Sequence, residues 1–545
     1  MATETAERRT GGRRTRDLSR FVTSVCTAPE GNCPDCGCLL TIQQHRRRPL
    51  QTLEARQILV MKDRRCCNPE CPGARALYRP LDPNRLLLRD CEFGLDVIAF
   101  VGESRQHRNM SFPTIHTELA EKHGVIISER HVPNLFRLYL ALVDCRTARD
   151  EVVQARLGQQ GTLILSGDAV RFDDVSPAVY VVREVVSGEI LVAARLKQAS
   201  EEALAEMLAP IRDMGVPVVG TICDKEKALL GAFETAFPEA RHQICQTHYL
   251  LNLVKPMAAD LATLGAAVKD TVRKVSEVAK TLDRARVAGP EERDLAEMVC
   301  QAVAAIGKSH AGDKLFEPPA LKRHARLTEL ANETGRAVKQ KGGTWPLLER
   351  LLALLAILSD CGELARRLER QFQVVRDIAH ILDAQTASST AVAKKLQAYL
   401  DRLLAEAPQR GRGAVRGRFH QHVVGVSQRF WKGLFHCYDV ADLPRTNNAL
   451  EQFFNALKQQ ARRIHGRKST SGGPLESFAP YLLELWNRLE EVPSLDELVQ
   501  GLSPASLARA RAELEQEEAP ARRRRSLLRA PQAHLNKALK NFLEG

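Results

Sequence analysis

The 545-residue chain is about two to four times the length of an ordinary domain, and 44% of its residues are hydrophobic, so it can bury more than one core. The formal net charge of +13 is concentrated at the start, since residues 1–80 contain 15 Lys/Arg against 8 Asp/Glu. The N-terminus has no apolar signal core, and no apolar run approaches the roughly 20 residues of a membrane span. We therefore expect no secretion, no membrane crossing and a reducing, cytoplasmic location.

Cysteine pairs dominate residues 26–80, which follow a polar, Arg-rich stretch (1–25) that we predict to be a disordered basic arm. The motif CPDC is followed by RRCCNPEC. In a reducing compartment such clustering favours metal binding over disulfides, and tetrahedral Zn²⁺ takes four thiolates. We predict a zinc ribbon whose structural Zn²⁺ has four cysteine ligands and so no open position for catalysis. The predicted ligands are Cys33, Cys36, Cys67 and Cys71, with Cys66 as the alternative to Cys67.

The basic charge of the ribbon predicts contact with DNA phosphates, because Lys and Arg supply most non-specific affinity for nucleic acid. The candidate residues are Arg46, Arg47, Arg48, Arg64 and Arg65.

Residues 81–150 have a helical pattern that predicts a helix-turn-helix domain. Ile115 and Leu119 lie on one apolar face, Gly124 breaks the helix, and Ser128 is suited to cap a second helix. In this motif the second helix enters the major groove, whereas a plain pair of packed helices is the alternative. The side chains predicted to contact DNA are Arg130, His131, Asn134 and Arg137.

Residues 158–255 alternate between strand and helix patterns, which predicts an α/β sheet domain. TLILSGDAV and VPVVGTICD are buried strands, PAVYVVREVVSGEILVAARLK is two strands around a Ser-Gly turn, and EEALAEMLAPIRDMG is a helix. Residues 256–440 lack strand-like runs and predict an all-helical insertion. Residues 441–500 supply one further helix of the core, and residues 501–545 form a basic helical tail.

Two aspartates stand at the ends of predicted strands, Asp168 after TLILSG and Asp224 after VPVVGTIC. Strand ends in an α/β sheet bring side chains from distant sequence together. Two such carboxylates plus a third can hold two divalent cations about 4 Å apart. Asp173, Asp174 and Glu226 compete with them, although acids in turns and at helix starts are more often solvated.

The sequence after Asp224 resembles the Mutator-like group of cut-and-paste transposases. Members of this group have a segment F-P-x-A-x-x-Q-x-C-x-x-H leading to an Asn, and a late T-N-N/A-x-x-E helix. The first motif is matched by Phe237, Pro238, Ala240, Gln243, Cys245, His248 and Asn252, and the second by Thr446, Asn447, Asn448 and Glu451. The resemblance spans roughly residues 160–470.

The resemblance implies an RNase H-like core with Asp168, Asp224 and Glu451 as a catalytic triad that binds two Mg²⁺ or Mn²⁺ ions. It implies supporting roles for Cys245, His248, Asn447 and Asn448, although a C-x-x-H pair is equally often part of a core. Glu363 is a rival to Glu451. Phosphate contacts, or simply a solvated helix face, are predicted for Lys458, Arg462 and Arg463.

The expected fold class is therefore α/β and all-α multidomain: an RNase H-like α/β catalytic core with a large all-helical insertion, preceded by a zinc ribbon and a helix-turn-helix domain. The expected function is that of a transposase of the bacterial nucleoid that cleaves and transfers the ends of its element. It would act on double-stranded DNA as a homodimer or higher oligomer. A non-catalytic DNA-binding regulator and an RNase H-like nuclease without strand transfer are the alternatives.

Overall fold

The computed structural model describes residues 22–27, 31–78, 88, 91–146, 148–171, 178–196, 199–282, 289–308, 316–384, 387–406, 414–465, 483, 485–499 and 502–536. Most of the predicted basic arm, together with Asp173 and Asp174, lies outside these ranges. The arm was predicted to reach residue 25, but a strand already begins at Val22. No helix in the described ranges has the length and apolar character needed to cross a membrane.

The first module is a three-stranded sheet of β1 (Val22–Thr27), β2 (Leu40–Gln51) and β3 (Arg56–Cys66) in the order β1-β3-β2. Strands β2 and β3 form a long antiparallel hairpin, and β1 runs parallel to β3. One end of the hairpin carries the cysteines. The other end is joined to the next module, because Gln51 donates to the Ile126 carbonyl (3.1 Å) and accepts from the Ile126 amide (2.7 Å).

The second module contains α1 (Leu95–Gln106), α2 (Phe112–Glu121) and α3 (Val132–Asp144). Gly124 has φ of +63°, so the predicted helix break is confirmed. The second helix begins later than predicted: Ser128 makes no side-chain capping bond, Glu129–His131 is a 3₁₀ turn, and α3 begins at Val132 with a proline in its first turn. Arg130 and His131 therefore precede the helix.

Close contact between α1 and α3 depends on Gly102, because a Cβ there would lie 2.3 Å from the ring of the fully buried Tyr139. We expect Gly102→Ala to destabilise this module by about 1–3 kcal/mol through overpacking. Gly158→Ala is the matched control, since a Cβ on that helical glycine meets nothing within 4 Å. Thermal unfolding should show a lower melting temperature for the first variant and an unchanged or higher one for the second. Equal melting temperatures would contradict the packing argument.

The third module is a five-stranded mixed sheet, preceded by α4 (Ala148–Gln160). Its strands are β4 (Leu163–Val170), β5 (Val179–Glu184), β6 (Ile190–Arg195), β7 (Val218–Cys223) and β8 (Arg241–Ile244), in the order β6-β5-β4-β7-β8. Strands β4, β5 and β6 pair antiparallel, whereas β7 and β8 run parallel to β4. The predicted strands β4 to β7 are confirmed, and β8 was not predicted.

Helices cover both faces of this sheet. On one face α5 (Glu201–Met207), α6 (Ala209–Asp213) and α7 (Lys227–Ala236) pack against Leu163 and Leu165 of β4. On the other face α16 (Asn448–His465) buries apolar side chains against β4, β5 and β6. Helix α8 (Gln246–Val254) follows β8 directly.

The segment between α8 and α16 is helical throughout its described residues and has two cores. Helices α9 (Ala258–Ala279), α10 (Pro290–Lys308), α11 (Pro319–Lys341) and α12 (Pro346–Ala356) enclose one core. Helices α13 (Gly362–Leu382), α14 (Ser389–Ala405) and α15 (Ala414–Phe430) enclose the second together with α8. The predicted helical character of this segment is confirmed over those residues.

The C-terminal residues return to the second module. Helices α17 (Trp486–Leu489), α18 (Leu495–Val499) and α19 (Pro504–Arg529) add apolar side chains to the core of α1, α2 and α3. Arg488 fastens this return, because its guanidinium pairs with Asp144 (2.9 Å) and with Asp150. The helical module is therefore built from both ends of the chain and not from residues 81–150 alone.

Candidate functional site

The two strand-end aspartates lie on the sheet face that α16 covers. Side chains alternate between the faces of a strand. On β4, Leu163 and Leu165 face α5 to α7, so Ile164 and Asp168 face the opposite side. On β7, Ile222 shares the core of Ile164, and Asp224 follows it by two residues. Because β4 and β7 run parallel, the two carboxylates lie near the C-terminal ends of these neighbouring strands.

Glu451 reaches the same place from α16. It occupies the first turn of that helix, whose Leu450, Phe454 and Leu457 are buried against the sheet. Its Oε1 atom lies 3.9 Å from Nδ1 of His248, which is on α8. Three acids that are far apart in sequence therefore converge beside one histidine.

Hydrogen bonds of Asn447 hold the start of α16 against the sheet. Asn447 is 2% exposed, and its amide group donates to the Gly167 carbonyl (3.0 Å) while its side-chain oxygen accepts from Ser166. Its backbone amide donates to Cys245 Sγ (3.3 Å). The predicted supporting residues Asn447 and Cys245 thus join α16, β4 and the start of α8. Asn448 makes a weaker contact, accepting from Thr247 at 3.5 Å.

Arg445 attaches the same loop to the helical insertion. Its guanidinium donates to Asp383 Oδ1 (2.9 Å) and to the Leu382 (3.3 Å) and Ala384 (2.7 Å) carbonyls, just after α13. A cation is favoured at a helix C-terminus because the free carbonyls there carry partial negative charge. The insertion therefore helps to hold the loop that leads into Glu451, in line with the expectation that it would support the acid triad, although Arg445 was not singled out.

The acids repel one another electrostatically. Burial, together with the charges of Asp224 and Glu451, raises the pKa of Asp168 to about 6. The neighbouring Cys245, together with the charges of Asp224 and Glu451, raises the pKa of His248 to about 9 against the effect of burial. The protein thus supplies one protonated histidine against three carboxyl groups, which leaves an excess of negative charge to be neutralised.

The described competitors, Glu226 and Glu363, do not share this position. Glu226 accepts a hydrogen bond from the Tyr180 hydroxyl (2.5 Å), and Tyr180 belongs to the core on the opposite sheet face. The Glu226 backbone amide donates to Asp224 Oδ1 (3.0 Å), so this residue supports Asp224. Glu363 is 85% exposed on α13 and pairs with Arg366.

A second cluster consists of Cys33, Cys36, Cys66 and Cys71. Their Sγ atoms all lie within 4.8 Å of one another, with 3.7 Å between Cys33 and Cys71 and 3.4 Å between Cys36 and Cys66. Four thiolates around Zn²⁺ at about 2.3 Å stand roughly 3.8 Å apart, so the set suits a metal such as zinc. Within the described ranges this is the one group of three or more potential ligands that is so close.

The predicted ligand Cys67 is not part of the cluster, and the alternative Cys66 takes its place. Cys66 is the last residue of β3 and is buried, whereas Cys67 is exposed. Adjacent residues in extended backbone point in opposite directions, so only one of the two can face Cys36. The hydroxyl of Tyr78 lowers the pKa of Cys33 to about 6, which favours the thiolate form that binds metal.

The ribbon arginines divide into two groups. Arg46 pairs with the buried Asp63 (2.7 Å), Arg48 donates to the Leu88 and Cys91 carbonyls, and Arg64 is buried and donates to the Leu40 carbonyl. These three hold the fold together. Arg47 is exposed, and Arg65 is half-buried.

The four side chains predicted to contact DNA lie at the N-terminal end of α3 or in the turn just before it. All six residues from Leu138 to Val143 are buried, which leaves only the first turns of this helix accessible. Arg130 is exposed. A groove of about 620 Å³ separates these turns from α19. Its charged and polar lining consists of Glu92, His131, Asn134, Arg137, Arg511, Glu515 and Arg522. The C-terminal helix thus covers part of the face that was predicted to meet DNA.

The basic end of α16 points outward from the acid cluster. Arg462 and Arg463 are exposed, and Lys458 is half-buried. Gln460 donates to the Gln106 carbonyl (2.9 Å) at the end of α1, so α16 also touches the second module.

No family model matches this chain, and no curated protein matches its sequence. Among solved structures it is similar to the Drosophila P element transposase strand transfer complex, at 10% identity over 74% of this chain and 93% of that chain, with a TM-score of 0.31. A similarity of that size does not identify an activity.

Proposed function

We propose that the protein is a transposase of the Mutator-like group, with an RNase H-like core that cleaves DNA and transfers the freed strand by divalent-metal catalysis. The observation that carries this proposal is the meeting of Asp168, Asp224 and Glu451 on one face of the mixed sheet. The two aspartates come from neighbouring parallel strands, Asp168 within β4, two residues before its end, and Asp224 directly after β7. The glutamate comes from a helix, 227 residues beyond Asp224.

The acid cluster is suited to Mg²⁺ or Mn²⁺. Hard divalent cations take oxygen ligands, and the raised pKa of Asp168 reflects its burial first and then the like charges of Asp224 and Glu451, which a cation would neutralise. We propose two ions, because a pair about 4 Å apart held by carboxylates is the usual arrangement for this kind of phosphoryl transfer. Bound there, such ions activate an attacking oxygen and stabilise the leaving oxygen of phosphoryl transfer.

Residues of this chain would orient the carboxylates and offset part of their negative charge. The backbone amides of Ala169 and Glu226 donate to Asp168 Oδ1 (2.7 Å) and Asp224 Oδ1 (3.0 Å), which leaves the second oxygen of each carboxylate for a ligand. His248 carries positive charge beside Glu451 and limits its repulsion from the aspartates. Asn447 and Arg445 hold the loop that positions Glu451.

The cysteine cluster and the second module would bind DNA. We propose a structural Zn²⁺ at Cys33, Cys36, Cys66 and Cys71, with four thiolates and no open coordination position. Exposed cations in these modules and on α16 would then contact phosphates of the element ends. The residues best exposed for that role are Arg47, Arg130, Arg462 and Arg463.

A positioning role for Asn447 makes a testable prediction. Asn447→Ala removes the contacts to Ser166 and Gly167 that hold the start of α16 on β4. Groups that orient a metal ligand typically change metal affinity or activity 10–100-fold, so we expect the Mg²⁺ concentration for half-maximal cleavage to rise about 10-fold or more. A metal titration of cleavage measures this, with Asn332→Ala as the control, since that asparagine is exposed on α11 of the helical insertion. An unchanged titration would remove the positioning role.

The proposed function itself is tested with purified protein, Mg²⁺ and duplexes that carry candidate element ends. We expect nicking at the end, followed by joining of the freed 3′ end to a second duplex. Cleavage without joining would identify a nuclease, and binding without cleavage would identify a regulator. Either result would replace the proposal.

A further inference from the structure

Four cations lie where β7 and β8 meet the end of the helical insertion. They are Lys225 after β7, Arg241 on β8, Arg429 near the end of α15, and Lys432 just beyond it, and we call them the β8-edge patch. All four are exposed. The patch lies outside the motifs that carried the functional prediction, and two of its members come from the helical insertion.

Direct contacts connect β7 with α15. The Lys225 ammonium donates to the Arg429 carbonyl and lies 4.6 Å from the centre of the Phe430 ring. Lys225 is the residue after Asp224, and its side chain turns toward α15, so the contact joins the end of β7 to the helical insertion.

The patch continues along β8, which is the edge strand of the sheet. Residues 431–433 pack closely on that strand, since a Cβ at Gly433 would lie 2.6 Å from Ile244. His436 lies close to two of the cations. Burial lowers its pKa, and the charges of Arg241 and Lys432 also lower it. Lys432 also lowers the pKa of His242, again after burial. Both histidines are therefore neutral at pH 7 and add no charge.

Acidic side chains compensate the patch only in part. Lys432 lies 3.7 Å from Glu234, but its own side chain is 95% exposed, and such a pair contributes little. Asp439 lies near Arg241 and His436 and accepts from the Ser389 amide (3.0 Å). Over the part of the chain that the structure describes, no carboxylate lies within 4.0 Å of the charged nitrogens of Lys225, Arg241 or Arg429. Adjacent like charges left so exposed favour a polyanion.

We propose that the β8-edge patch binds the sugar-phosphate backbone of duplex DNA and guides it toward Asp168 and Asp224. The proposal rests on the proposed function for the identity of the polyanion. It adds a binding surface in which the helical insertion, through Arg429 and Lys432, contacts the same DNA as the sheet. The structural alternative is that Lys225 merely caps α15, and that alternative predicts no role for Arg429 or Lys432.

The test uses the full chain with the double variant R429Q/K432Q, whose changed side chains are exposed and leave the Lys225 contact with the Arg429 backbone intact. The control is R336Q/K339Q, which removes two exposed cations from α11 in the other core of the insertion. Binding of a random-sequence 40-bp duplex is followed by fluorescence anisotropy at several salt concentrations, without added Mg²⁺ or Mn²⁺. Each lost phosphate contact lowers the slope of log affinity against log salt by about 1. We expect a slope lower by about 2 for R429Q/K432Q and unchanged for R336Q/K339Q.

Cleavage is measured separately with Mg²⁺, so that the two proposals can fail independently. An unchanged salt slope for R429Q/K432Q, or an equal loss in R336Q/K339Q, would overturn the patch whether or not the wild-type protein cleaves DNA. A reduced slope together with a wild-type protein that never cleaves would support the patch and reject the transposase proposal. Weaker binding of single-stranded RNA but not of duplex DNA would also overturn the proposal, because the polyanion would be of another class.

Discussion

Asp168→Asn and Asp224→Asn should each reduce metal-dependent DNA cleavage by on the order of 10³-fold or more while the protein remains folded. Asparagine retains the side-chain oxygen that accepts from Ala169 or Glu226, so the local backbone contacts survive. It removes the negative charge that a divalent cation requires. The loss should therefore appear in the chemical step and in metal binding, and DNA binding without metal should stay close to that of the wild type.

Glu451→Gln should have an effect of the same order, and Glu363→Gln should have none. Glu363 is the matched control because it is also a helical glutamate, but it is 85% exposed on α13 and pairs with Arg366. Single-turnover cleavage of an end-containing duplex, with circular dichroism to check folding, distinguishes these outcomes. Cleavage by Glu451→Gln at the wild-type rate would show that another acid completes the site.

Cys66→Ser should abolish stoichiometric zinc binding, whereas Cys67→Ser should leave it intact. The two residues are neighbours of the same type, so they form a matched pair that differs in direction: Cys66 faces the cluster and Cys67 is exposed. Structural zinc in small domains contributes on the order of 10 kcal/mol to folding, so losing one ligand should unfold the cysteine end of the β2–β3 hairpin.

Zinc content per chain, together with limited proteolysis of the first module, measures this difference. We expect about one zinc per chain in the wild type and in Cys67→Ser, and a protease-sensitive first module in Cys66→Ser. If Cys67→Ser lost its zinc and Cys66→Ser kept it, the ligand first expected from the sequence would be the right one.

The parts of the site that the sequence predicted are those with local signals. Apolar runs that end in an aspartate indicated β4 and β7, and the C-x-x-C spacing indicated the cysteine cluster. Spacing could not choose between Cys66 and Cys67, because that choice depends on which side of β3 each residue faces. Glu451 has no local signal, since acids are common on helices, and only the family resemblance pointed to it.

Other features depend on contacts between distant segments, which composition and periodicity do not reveal. Strand β8 is four residues long and begins with the polar RHQ, so no alternating pattern marks it. The start of α3 resembled an exposed recognition helix, but α19 approaches it from the far end of the chain. No local signal distinguishes Arg445 from other basic residues, because its partner Asp383 lies just after α13, far away in the sequence.

The placement of Glu451 after the helical insertion also sets an order of events during synthesis. Translation at about 5–20 residues per second needs roughly 10–45 s to make the 227 residues between Asp224 and Glu451. The two aspartates are therefore synthesised well before Glu451. The core of α1 to α3 is also incomplete until the last of its members have been synthesised, namely Leu485, Leu489 and Leu514. A nascent chain lacks both features, so the proposed metal site is complete only after Glu451 and the later helices have been synthesised.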